Sequence, residues 1–185
     1  MNAIAGTLGF APVMPYRLSG MRWLLFLAAF TTFAVAAPYL CHQFGLAGQV
    51  ILPMHFAVIF AAMVMGLRGG VLTALASPLV SFSLSGMPPV GALLPMMAEL
   101  AVYAAVAGWL VHHRHARIIT ALVCAMLAGR AVSLVFFAAG FGSAPSSQVL
   151  IRNLFLVGLP GIAAQLLLLP VMVSKIGDYL SRADV

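Results

Sequence analysis

The sequence predicts an all-α integral membrane protein with six transmembrane helices. Three observations predict it. The 185-residue chain is 64% hydrophobic and only 6% charged, whereas a soluble domain carries about a quarter charged residues. Apolar stretches near the roughly 20 residues that a membrane-crossing helix needs recur along the chain. The basic residues between these stretches fall on one side when the spans alternate in direction.

The expected spans are residues 22–40, 50–65, 70–84, 90–111, 118–141 and 149–174. A cytoplasmic segment, 1–21, precedes them and a cytoplasmic tail, 175–185, follows. The first span starts at Arg22 and carries no further charge. Its start also resembles a signal peptide: Arg22, an apolar run over 23–33 and Ala34-Val35-Ala36 as a cleavage-like site. The apolar run continues past that site and Pro38 follows closely, so a retained span is expected. The second and third spans are short and joined through Gly66-Leu67-Arg68-Gly69-Gly70. That join predicts a helical hairpin, tilted or crossing the membrane only in part. Ser85-Gly86-Met87-Pro88-Pro89 sets off the fourth span, His112 to Arg117 the fifth, and residues 142–147 the sixth.

Orientation follows from Lys and Arg. Arg17, Arg22, Arg68, Arg114, Arg117, Lys175 and Arg182 share one side of a six-span scheme. The opposite loops hold no Lys or Arg. Both termini are therefore expected in the cytoplasm, in a bacterial or archaeal plasma membrane. The net charge of +6 orients spans and does not signal nucleic-acid binding. Cys41 and Cys124 have no CxxC or Cys/His spacing, so neither a disulfide nor thiol chemistry is expected. The run His112-His113-Arg114-His115 lacks carboxylates and has basic neighbours. It reads as a solvated loop near anionic lipid rather than a metal site.

The candidate function lies with polar residues inside apolar spans. A charge in hydrocarbon is costly and persists mainly where it faces a polar interior. Glu99, Arg130 and Arg152 are such charges, and His55, Asn153 and Gln165 are polar companions. Helix rise places His55, Glu99, Arg130, Arg152 and Asn153 between the outer surface and the midplane, with Gln165 near the midplane. Together they suit a small polar ligand arriving from outside. Two arginines against one glutamate make the pocket net positive and favour an anionic group. Each residue also has a plain structural reading. Glu99 and Arg130 can be a structural ion pair, and Arg152 can snorkel to headgroups. His55 can be capped by neighbouring backbone, and Gln165 can tie helices together.

Small residues recur every fourth position at Ala28, Thr32 and Ala36, at Ala104 and Gly108, and at Ala121, Ala125 and Gly129. Such faces allow close helix approach. The first stripe is the candidate partner surface, because its span carries no site residue. No Gly-rich phosphate loop, HExxH pair or nucleophile elbow is present, so no enzyme and no cofactor is expected. No two-fold repeat of the kind found in many secondary transporters is evident either.

Several segments in order carry a family resemblance. They are Leu52-Pro53-Met54-His55, Gly66 to Gly70, Ser77-Pro78-Leu79, and Ser85-Gly86-Met87-Pro88-Pro89. Met97-Ala98-Glu99-Leu100-Ala101-Val102-Tyr103, Ala125 to Arg130 and Pro160 to Leu166 follow. Over about residues 52–170 the chain resembles the substrate-binding (S) components of energy-coupling factor (ECF) vitamin transporters. The resemblance implies a six-helix, non-enzymatic subunit that captures a vitamin or related micronutrient from the outer side. It also implies docking on a transmembrane T subunit driven by two ATP-binding subunits, so ATP is used by partners only. In that family an AxxxA pattern on the first helix contacts the T subunit, and here Thr32 stands between Ala28 and Ala36. The biotin members' glycine pair is missing. The nickel and cobalt members' histidine directly after the start is replaced by Asn2. An anionic vitamin such as pantothenate is the expected ligand class. The alternatives are a membrane enzyme acting on lipid or isoprenoid substrates and a structural assembly protein.

Overall fold

The computed structural model describes residues 20–45, 48–141 and 156–183. Among the described residues every regular element is helical: α1 (Gly20–Gln43), α2 (Gly48–Ile51), α3 (Pro53–Ser85), α4 (Val90–His112), α5 (Ile118–Ala138) and α6 (Leu159–Ala183). Five of these helices are long and apolar enough to cross a membrane. The short α2 is not one of them.

α3 is a hairpin rather than one rod. At Gly66 the backbone takes φ 79° and ψ −173°, a region essentially restricted to glycine. A Cβ on Gly70 would lie 2.4 Å from the Cβ of Ala62. Residues eight apart on an unbroken helix stand about 12 Å apart, so the chain turns back at Gly66. The two arms are residues 53–65 and 67–85. The expected second and third spans thus become two arms of one folded element. By helix rise the first arm is about 20 Å long, shorter than the roughly 30 Å hydrocarbon core.

α4 locks the turn. Gly108 presses against it so closely that a Cβ there would lie 2.8 Å from the Leu67 backbone nitrogen. His112 Nε2 lies 2.9 Å from the Met63 carbonyl oxygen. That carbonyl belongs to the last turn of the first arm, where backbone acceptors run out of helical partners. His112 was expected in a solvated loop and instead is half-buried against the hairpin.

The first arm is the core of the molecule. Met54, His55 and every residue from Ala57 to Met65 are buried, as expected of a helix that is apolar all round. α1 rests on α3 through Phe30, whose ring meets Phe60 edge-on at 5.1 Å. α4 covers α3, and α5 covers α4. α6 reaches α2 at Gly161, where a Cβ would lie 2.6 Å from the Ile51 carbonyl oxygen.

Several boundaries differ from expectation. The second span starts at Pro53, not at residue 50. Leu52 before it is left-handed, at φ 52° and ψ 47°, and a residue preceding proline disfavours the helical region. The fifth ends at Ala138 because Gly140 turns left-handed, at φ 82°. Phe141 N–H then donates to the Phe136 carbonyl at 3.0 Å, closing the helix end. The expected start of the last span, residues 149–155, lies outside the described residues; its described helix, from Leu159, continues past residue 174 to Ala183.

The small-residue stripes divide by role. Ala104, Gly108, Ala121, Ala125 and Gly129 are buried and pack internally. Ala28 and Thr32 are exposed on α1, while Ala36 is half-buried.

Candidate ligand site

Three helices bring one polar cluster together. His55 is the third residue of α3. Glu99 lies about 14 Å along α4 from its start, and Arg130 about 12 Å back from the end of α5. α4 begins at the end where α5 finishes, so the two charges meet at one depth.

Glu99 is the hub. Its Oε1 lies 3.0 Å from Arg130 Nη1 and accepts from the Tyr103 hydroxyl at 2.9 Å. Its Oε2 accepts from the Ser133 hydroxyl at 2.5 Å. His55 Nε2 stands 3.7 Å from Oε1, within reach of its charge but beyond a hydrogen bond. The His55 ring packs edge-on against Tyr103, with centroids 5.5 Å apart. Glu99, His55 and Arg130 are 7%, 9% and 9% exposed. A buried charge pair of this kind is sustainable because extra hydrogen bonds satisfy the carboxylate.

The cluster is the floor of a cavity of about 1190 Å³, somewhat larger than the roughly 300–1,000 Å³ of ordinary small-molecule sites. Its walls come from the C-terminal half of α1, the Leu52–His55 entry of α3, Val80–Ser85, the Met87–Pro89 connection and the first turns of α4. All lie at the end of the bundle away from Arg68, Arg114 and Arg117. The walls are mainly apolar, with Val35, Leu84, Met96 and Phe137 among them.

Two buried nitrogens at the floor have no hydrogen-bond partner, Arg130 Nε and His55 Nε2. Buried polar atoms are rarely left so. Both belong to residues lining the cavity.

Of the residues expected at the site, His55, Glu99 and Arg130 come together. Gln165 does not join them: it is 2% exposed, its Nε2 has no partner, and it is absent from the cavity wall. Arg152 and Asn153 lie outside the described residues. Thr32 and Ala36, expected on a partner surface, line the cavity, whereas Ala28 does not. Tyr103 and Ser133 were not singled out from sequence. Their signal was spacing: Tyr103 is four residues after Glu99 and Ser133 three after Arg130, each on the same helix face.

Glu99 already accepts from Arg130, Tyr103 and Ser133, so it has little capacity left as a base. Compared with protein-family models, with curated proteins and with solved structures, the chain matches none.

Proposed function

We propose that the chain is the substrate-binding subunit of an ECF-type importer. It captures a vitamin-sized micronutrient in the cavity above Glu99 and delivers it through a T subunit and two ATP-binding subunits. The observation that carries this reading is the buried Glu99–Arg130–His55 cluster, with two unpartnered nitrogens, at the floor of a roomy apolar cavity. A purely structural ion pair has no need of such a cavity. The order of motifs from Leu52-Pro53-Met54-His55 to Ala128-Gly129-Arg130 supports the same family. In this reading the cavity opens to the outer face, both termini are cytoplasmic, and the exposed Ala28 of α1, which does not line the cavity, belongs to the docking face.

Native mass spectrometry on gently purified protein tests the proposal. The expected result is a bound small molecule of vitamin size that is lost in His55→Ala. A protein that carries no such mass, and whose melting temperature no vitamin raises, would count against it.

A further inference from the structure

Going beyond ligand capture and independent of it, we infer that the end of the bundle opposite the cavity binds the headgroup of an anionic phospholipid among Arg68, Arg114 and Arg117. Packing at the hairpin turn gathers these residues. Gly108 presses on the Leu67 backbone and His112 on Gly66, so the last turn of α4 lies against the turn that carries Arg68. Trp109 follows Gly108, and the Arg114 guanidinium stands over its ring, 5.6 Å from the centroid. Arg117 ends the same short connection as the N-cap of α5. All three arginines are exposed.

The patch has no acid of its own. Residues 66–70 and 109–118 contain no Asp or Glu. Of the acidic residues of the chain, Glu99 lies about 20 Å back along α4 from His112. Asp178 belongs to α6 and Asp184 lies outside the described residues. Guanidiniums gathered without a carboxylate repel one another. A phosphate diester among them relieves that repulsion and accepts forked hydrogen bonds. His113 and His115, exposed on either side of Arg114, each carry a ring N–H in either tautomer. The apolar neighbours assign the phosphate to a lipid. Trp109 is 46% exposed and Leu67 36%, both beside the arginines at the ends of span-length helices. Indole rings at span ends sit at headgroup depth, where such apolar surface meets acyl chains. A soluble phosphate would leave it unused.

Thermal unfolding of the purified full chain, stripped of lipid in a neutral detergent, tests this. Phosphatidylglycerol should raise the melting temperature by several degrees. Phosphatidylcholine with the same acyl chains should not, and added salt should shrink the difference. Arg68→Gln, Arg114→Gln and Arg117→Gln combined should abolish the difference. Lys175→Gln, which removes an exposed cation from α6, should keep it. If the triple variant does not fold, Arg114→Gln alone should at least halve the difference. Equal shifts from the two lipids overturn the inference and favour an acidic protein surface as the occupant. A shift from glycerol 3-phosphate as large as that from phosphatidylglycerol overturns it in favour of a soluble phosphate. Arginine variants that keep the full difference, or a Lys175→Gln that loses it, overturn it in favour of overall charge.

Discussion

Gly129 lies directly beneath the ring of Tyr103: a Cβ there would stand 2.5 Å from Tyr103 Cε1. The bare backbone of α5 thereby lets the α4 tyrosine lie flat and reach Glu99 with its hydroxyl. Gly129→Ala should push the ring away. Overpacking of this kind costs about 1–3 kcal/mol. The expected result is a lower melting temperature in detergent, with a matching loss of ligand retention. An unchanged melting temperature would mean that the ring moves at no cost.

Glu99 and Arg130 should behave as a coupled pair. Glu99→Gln leaves the guanidinium buried without its counter-charge, at a cost of about 3–5 kcal/mol. Glu99→Gln with Arg130→Met removes both charges and should cost less than the sum of the single changes, by about 0.5–3 kcal/mol. Unfolding of all four proteins in one detergent closes the cycle. Additive losses would show that the two side chains do not stabilise one another.

Gly66 should be the least replaceable glycine of the hairpin. Its backbone, at φ 79° and ψ −173°, strains any residue with a Cβ by about 1–3 kcal/mol. Gly66→Ala should lower the melting temperature clearly. Gly91→Ala is the control: nothing lies within 4 Å of a Cβ there, and alanine favours the helix. Equal effects of the two changes would remove the special status of the turn.

His112→Phe should loosen the same turn. The change preserves bulk against Gly66 but deletes the bond to the Met63 carbonyl. Leaving a buried acceptor unpaired costs about 1–3 kcal/mol. Hydrogen exchange over residues 60–70 should quicken, while exchange around Arg130 stays as it was. Uniform quickening across the chain would point to global destabilisation instead.

Orientation can be read with single cysteines. In a Cys41→Ser, Cys124→Ser background, Ser85→Cys should react with a membrane-impermeant maleimide on intact cells. His113→Cys should react only after lysis. Both positions are exposed, so reactivity reports sidedness. The reverse pattern would invert the topology.

The helical class and the Glu99–Arg130 pairing were legible because both rest on simple rules. Apolar runs of span length leave few alternatives in a chain with 6% charge. Two opposite charges at equal helical depth have strong reason to meet. The break at Gly66 was legible as a hairpin, since Gly66, Gly69 and Gly70 stand within five residues. What escaped depended on neighbours in space. Nothing in the local sequence says that His112 will bond a carbonyl 49 residues earlier. Gln165 is as polar as His55, but its direction around α6 decides whether it meets the cavity, and a depth calculation does not contain that angle. Tyr103 looks like an ordinary aromatic of an apolar span until Gly129 makes room for it.

α1 furnishes one wall of the cavity, from Thr31 to Gln43, yet contributes no side chain to the cluster at Glu99. It leans chiefly on α3, whereas the polar contacts join α3, α4 and α5. Wall and floor are thus mechanically separable. A displacement of α1 would alter the width of the entrance without breaking any bond to the Glu99 carboxylate, since none of those bonds comes from α1.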